Sequence, residues 1–296
     1  MTLESVTECP VCASSSFQQL LTVRDYTVSQ NEFQINGCTT CGFGITSPRP
    51  DQHSIGLFYA SDKYVSHTGG TRTLLDQVYL IARKFTLRWK LNLITRLQQP
   101  GTLLDYGCGT GEFLKYLHAN QWKVMGVEPS ESARTNADTI IQNHIYPTLN
   151  TNLGNFDVIT LWHVLEHVHN LNETLSKLKA LLNKSGIMLL AVPNYLSADA
   201  KKYGAYWAGY DVPRHLWHFT QKNMEQLLSQ HRLEVIKIVP MKLDAFYVSL
   251  LSESYQHSKT PFFLRMINAF LSGITSNSMA TKTGEYSSLI YIARHK

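Results

Sequence analysis

The stretch Leu103–Leu114, LLDYGCGTGEFL, restricts this chain more than any other. Apolar residues run into Asp105. Gly107, Gly109 and Gly111 then alternate with other residues, and a helical pattern follows. A glycine-rich turn between strand and helix lets the backbone approach a ligand closely and aims the unpaired N–H groups of a helix start at it. The spacing is G-x-G-x-G, whereas a dinucleotide site reads G-x-G-x-x-G. Asp105, two residues before the first glycine, would repel a pyrophosphate but suits the ammonium of an amino-acid-like ligand. One strand later Glu128 closes MGVEPS, where a carboxylate can accept both hydroxyls of a ribose. The segment therefore calls for a ligand with a ribose and an α-amino group, and S-adenosylmethionine (SAM) has both.

Strand and helix patterns alternate around this turn. Apolar strands are expected at Leu103–Tyr106, Lys123–Val127, Phe156–Trp162 and Ile187–Val192. Helices are expected at Gly111–Asn120, Ser130–Gln142 and Leu171–Leu182. Helix Gln221–His231, strand Leu233–Val239, helix Phe262–Ser272 and strand Leu289–Arg294 follow. This order predicts an α/β fold with a mostly parallel sheet covered on both faces. Ahead of it, Thr71–Gln99 has apolar residues spaced by three and four, including Phe85, Trp89, Leu93, Ile94 and Leu97, until Pro100 and Gly101 stop the helix. Three regions result: residues 1–50, a loop and long helix over 51–100, and the α/β domain over 101–296 with a segment near 195–220 facing the substrate.

The loop resembles motif I of the class I SAM-dependent methyltransferases, and VEPS resembles their ribose-binding segment. FDVITLWHVLEHVHNL, from Phe156 to Leu171, is similar to the fourth-strand region of the branch that includes ubiquinone-type and sugar-modifying members. The resemblance covers residues 100–240. It implies a Rossmann-like seven-stranded sheet in which Asp105, Gly107, Gly109 and Gly111 line the methionine side of SAM. Glu128 would take the ribose hydroxyls, and Trp162 and His163 would lie near the cofactor. Many relatives place an Asp near the end of the third strand for the adenine amino group. HIYPTLNTNLGNF has no acid there, which leaves backbone groups, Asn150 or Asn152 for that role.

Four of the five cysteines fall in two knuckles, Cys9-x-x-Cys12 and Cys38-x-x-Cys41, separated by 25 residues. Two such turns supply the four soft ligands of a closed tetrahedral zinc site, which points to a structural metal in a small β module. A zinc module before such a domain also resembles certain nucleotide-sugar C-methyltransferases. Cys108, inside the glycine loop, reads as a packing residue.

Methyl transfer from a sulfonium requires a positioned acceptor and, where the acceptor carries a proton, a base. WHVLEHVH offers His163, Glu166, His167 and His169 at the carboxyl edge of the sheet, with His167 the favoured base. A metal held by His163, His167 and His169 is the weaker alternative. YGAYWAGYDVPRHLWHFT, Tyr203 to Thr220, offers His215 as a second base. Tyr206, Trp207, Tyr210, Arg214 and His218 there suit a ring-bearing or sugar-like acceptor, with Arg214 on a phosphate or carboxylate. Tyr64 and His67 lie in a loop that could close over the cofactor.

The expected activity is O- or C-methylation of a small molecule, such as a sugar or nucleotide-linked sugar. An RNA methyltransferase and a non-catalytic SAM-binding scaffold are the alternatives. Net charge is only +5 with the basic residues scattered, which disfavours nucleic acid. The chain lacks a basic-then-apolar leader and an apolar run long enough to span a bilayer, so a cytoplasmic protein is expected.

Overall fold

The computed structural model describes residues 2–59, 74–149 and 154–296, with backbone alone over 74–83. Tyr64, His67, Asn150, Asn152 and the first turn of the Thr71–Gln99 helix lie outside the described residues.

The main sheet has seven strands: β6 (Thr102–Tyr106), β7 (Lys123–Val127), β8 (Ile145–Tyr146), β9 (Phe156–Trp162), β10 (Leu182–Pro193), β12 (Leu233–Pro240) and β13 (Ser288–His295). Their spatial order is β12-β13-β10-β9-β6-β7-β8. The pairs from β10 to β8 are parallel, and β13 runs antiparallel between β10 and β12. Both faces are buried, and β10 shows why: Met188, Leu190 and Val192 join one apolar cluster while Ile187, Leu189 and Ala191 join another. Side chains of a strand alternate between faces, so a continuous apolar run fits only a strand covered on both sides. The strand order reverses at β6, between β7 and β9. The crevice beyond the carboxyl ends at such a reversal is where open α/β sheets bind ligands.

The long helix α1 (Leu74–Thr95) packs through its C-terminal half, where Leu91 and Ile94 are buried. Phe85, expected on the buried face, is 60% exposed; among the described side chains of the helix, those that join the core run from Leu87 onward. After α2 (Glu112–His118), the expected helix Ser130–Gln142 is two short ones, α3 (Glu131–Thr135) and α4 (Thr139–Gln142). Asp138 breaks it. Its side chain accepts the Ile140 N–H at 3.0 Å as a second N-cap, a competing bond that a helix interior does not offer. Next come α5 (Leu171–Ala180), α6 (Ala198–Tyr203), α7 (Gln221–Gln230) and an unexpected helix α8 (Asp244–Gln256). The last helix, α9, runs through Phe262–Thr283, well past Ser272, until Gly284 closes it at φ 79°.

The cysteine region forms β2 (Phe17–Arg24), β3 (Glu32–Cys38) and β4 (Gly44–Thr46), flanked by the short pair β1 (Leu3–Glu4) and β5 (Arg49–Pro50). Its four-stranded sheet is completed by β11 (Trp217–His218), which pairs with β4 in the order β11-β4-β3-β2. The N-terminal module and the 195–220 segment therefore share a sheet. They also share a core: Val23, Phe33, Ile35 and Phe58 pack with Tyr203, Trp207, Tyr210 and Val212.

Candidate functional site

The three loop glycines answer different demands. Gly107 and Gly111 have φ of 76° and 72°, and a Cβ on either would sit 2.4 Å from a neighbour, Val164 and Ile141 respectively. They lock the turn against its surroundings. Gly109, at φ 56°, faces open space, with nothing within 4 Å of an added Cβ. It is the point where the backbone can lie against a ligand. Glu128 fixes this loop: Oε2 accepts the Gly109 N–H and Oε1 the Ser130 N–H, both at 2.9 Å. A carboxylate has about four acceptor positions, so two remain for ribose hydroxyls. Cys108 Sγ packs over Gly126, as a packing residue should.

Asp105, buried at the end of β6, accepts the Thr160 hydroxyl at 2.6 Å. Burial pushes its carboxyl up to about 6, against the pull of Thr160 and of the Lys90 ammonium. Lys90 lies 4.1 Å over the Trp162 ring, and burial draws it down to about 8 despite Asp105 and Asp244. The Trp162 indole N–H is buried without an acceptor among the described residues. An open glycine backbone, a carboxylate with spare acceptors, a buried carboxylate–ammonium neighbourhood and an orphan donor fit a zwitterionic adenosyl amino acid. Sequence reasoning missed Lys90 and Asp244, which lie in no recognisable motif, and Thr160, which sits within the fourth-strand segment but reads there as an ordinary strand residue.

His163 stands at φ 56° just past β9, between two carboxylates: Nδ1 to Glu166 Oε1 at 3.2 Å and Nε2 to Asp244 Oδ2 at 3.0 Å. Burial opposes its charge, yet these two partners raise it to about 10. It is an imidazolium near neutral pH and has no lone pair to act as a base. His167 differs. Burial and the nearby His215 lower it to about 4, so it is neutral. Its Nδ1 lies 3.0 Å from the Arg214 carbonyl, which can only accept, so Nδ1 carries the proton and Nε2 the lone pair. Tyr59 OH also reaches Nδ1 at 3.0 Å. The rings of His167 and His215 meet edge to face at 4.6 Å. His215 Nδ1 faces the Gly209 carbonyl at 2.9 Å, so Nδ1 carries a proton, and Nε2 lies 3.9 Å from Asp211 Oδ2.

His163, His167 and His169 do not gather as a metal set. His163 is held by its two acids, and His169 Nε2 faces the Pro50 carbonyl at 3.1 Å. The atoms that do converge belong to Glu166, His167 and His215, within 4.8 Å of one another.

The 195–220 segment departs from expectation. Arg214 is 1% exposed, and its guanidinium is already engaged: by Asp211 at 2.6 and 2.9 Å, the Phe58 carbonyl at 3.0 Å, Thr27 at 2.5 Å and Asp25 at 3.3 Å. It ties the N-terminal module to the segment, and its donors are directed away from any acceptor phosphate. Trp207 is buried and donates to Asp199 at 2.8 Å, and Tyr210 is buried against its ring. Thr46 gives its hydroxyl proton to the His215 carbonyl at 2.7 Å, so it accepts from His218 Nε2 at 2.9 Å, and His218 too is spoken for. Tyr206, 38% exposed, is the one of these five that presents its ring to solvent.

In the N-terminal module, Cys9 and Cys41 sulfurs are 3.6 Å apart, Cys12 and Cys38 3.4 Å, and all four lie within 4.8 Å of one another. Tetrahedral zinc–thiolate bonds of about 2.3 Å separate sulfurs by about 3.8 Å, so the four thiols fit that ion.

A profile of the methyltransferase domain matches residues 79–238, more than half of the chain. The chain belongs to this methyltransferase family. The methyltransferase domain has relatives among ubiquinone biosynthesis O-methyltransferases: the protein from Rhodopseudomonas palustris is 29% identical over 152 residues, 45% of this chain. The chain spans 58% of that relative's length. Among solved structures, the magnesium protoporphyrin IX methyltransferase of Synechocystis with bound S-adenosylhomocysteine (SAH) aligns with a TM-score of 0.52 at 14% identity. That alignment covers 82% of this chain and 99% of the other. A geranyl diphosphate methyltransferase in complex with SAM aligns with a TM-score of 0.50 at 14% identity, covering 77% and 93%. These likenesses establish the class I methyltransferase fold.

Proposed function

We propose that the chain transfers a methyl group from SAM to an oxygen or carbon of a small molecule. The observation that carries this reading is the open backbone of Gly109, held by Glu128 and flanked by buried Asp105, at the sheet's reversal point. SAM, when bound, supplies a methyl group on a sulfonium. Asp105 would hold its ammonium, Glu128 its ribose, and Trp162 would border it. His167 Nε2 would take the acceptor's proton as the methyl group arrives, and His215, edge-on to the same ring, is the alternative base.

A sugar or nucleotide-linked sugar is the acceptor class proposed here, supported by exposed Tyr206 beside the histidine pair's segment. Arg214, Trp207, Tyr210 and His218 shape that segment from within. The four cysteines would hold a structural zinc ion. The two N–H groups that Glu128 accepts and the Arg214 carbonyl that orients His167 position these groups without meeting the acceptor.

The test is conversion of SAM to SAH over a panel of acceptors, with His167→Ala and His215→Ala alongside the wild type. Loss of a general base lowers kcat by about 100- to 10,000-fold with little change in SAM affinity. Undiminished turnover in both variants would remove the proposed base.

A further inference from the structure

Helix α9 is packed with its small residues inward. Ala269, Ser272, Gly273, Ser276 and Ala280 are buried, and the Phe246 ring of α8 closes on Gly273, where an added Cβ would meet it at 2.4 Å. The large residues lie towards solvent, Phe270 with its ring centroid 5.6 Å from that of Phe246 at the edge of the helix pair. Phe263 is 68% exposed, Phe270 59% and Leu271 55%, and Leu264, Ile267 and Ile274 are exposed with them. Positions 263, 267, 270 and 274 recur at helical spacing, so they form one stripe about 17 Å long. A helix in a globular domain ordinarily buries such a stripe, and a patch of this kind on a surface marks a binding face.

Charge indicates what the face meets. From Ser254 to Gly284 the sequence contains no carboxylate, and exposed Lys259 and Lys282 bracket the helix. Exposed Lys242 lies alongside, its carbonyl accepting the Asn277 side-chain N–H at 2.9 Å. The two acids of α8 are engaged internally, Asp244 with His163 and buried Glu253 with the Tyr203 hydroxyl. Among the described residues the nearest acid past the helix, Glu285, accepts the Asn194 side-chain N–H, so a second copy pressed against this face would bring cations together with no free acid of the described residues to answer them. An anionic bilayer answers both features, with acyl chains for the stripe and headgroup phosphates for the basic rim.

We propose that α9 lies in the plane of an anionic lipid surface, with Phe263, Ile267, Phe270 and Ile274 inserted and Lys242, Lys259 and Lys282 at the headgroups. No helix among the described residues is long and apolar enough to cross a membrane, and an in-plane helix does not need to be. The attachment stands apart from the methyl-transfer reading.

Vesicle flotation of the full chain tests it. Wild type should float with vesicles of phosphatidylcholine containing about a third phosphatidylglycerol, and much less with phosphatidylcholine alone or in about 0.5 M salt. The triple variant Phe263→Ser, Phe270→Ser, Ile274→Ser should partition at least about tenfold more weakly, and the pair Lys259→Glu, Lys282→Glu should lose the preference for anionic lipid. Unchanged thermal melting of both variants shows that they fold. Wild type that stays in solution with anionic vesicles overturns the proposal. So does a dimer by sedimentation that the triple variant makes monomeric while vesicles take up neither protein, since the face would then belong to a second copy.

Discussion

Two neighbouring histidines on one short turn take different protonation states, one cationic and one neutral, because of what each ring touches. His163 sits between Glu166 and Asp244, while His167 faces a carbonyl and another histidine. The first gained partners on folding, so its stabilisation is complete below about pH 6.5 and is lost as pH rises towards 10. Removing it as His163→Ala leaves Glu166 buried without its cation and should cost about 3 kcal/mol at pH 6, read as a lower melting temperature, with the difference from wild type shrinking towards pH 10. Asp105 gives a second pH signature. With its carboxyl near 6, the anionic form that the proposed contact to the SAM ammonium requires disappears below that pH. SAM affinity by calorimetry should be flat above pH 7 and fall by up to about tenfold per unit below pH 6. An unchanged affinity down to pH 5 would place the ammonium elsewhere. Arg214→Lys should destabilise the protein nearly as much as Arg214→Ala, about 3 kcal/mol, because a point charge cannot replace a guanidinium that reaches Asp25, Asp211 and the Phe58 carbonyl together.

At the scale of elements, β11 makes the cysteine module and the candidate site one unit. The strand that pairs with β4 directly follows Arg214, His215 and Leu216, and the Leu216 carbonyl accepts the Thr46 N–H at 3.0 Å. A disturbance at the four thiols should therefore reach the histidine pair. The expected outcome is one zinc ion per chain by elemental analysis, with Cys12→Ser or a strong chelator lowering both the melting temperature and turnover while SAM binding at the glycine loop weakens less. A metal-free protein with full stability would contradict the structural zinc. Gly107→Ala should abolish SAM binding, since the added carbon would meet Val164 at 2.4 Å on a backbone already at φ 76°.

For the molecule as a whole, the parts legible in the sequence were those governed by local pattern. The alternation of apolar strands and helices disclosed the layered sheet, and the alternating glycines disclosed the loop, because period and turn chemistry are short-range. That Glu128 comes close to the Gly109 loop followed from the glycine spacing and from its place at the end of the next strand. What stayed hidden depended on long-range contact. Lys90 acts on Asp105 through its charge from a helix preceding the α/β sheet, and Asp244 reaches His163 from 81 residues away. Arg214 looks like a phosphate ligand until Asp25, 189 residues distant, claims it. Helix α9 is expected from Phe262 onward, and only the structure shows that its bulky side faces outward. The central claim, that this fold holds an adenosyl amino acid, is tested most directly by calorimetry of the purified chain with SAH. One molecule should bind per chain, with the heat lost in Asp105→Ala and in Gly107→Ala. No uptake of SAH or SAM, with a nicotinamide dinucleotide bound in their place, would contradict it.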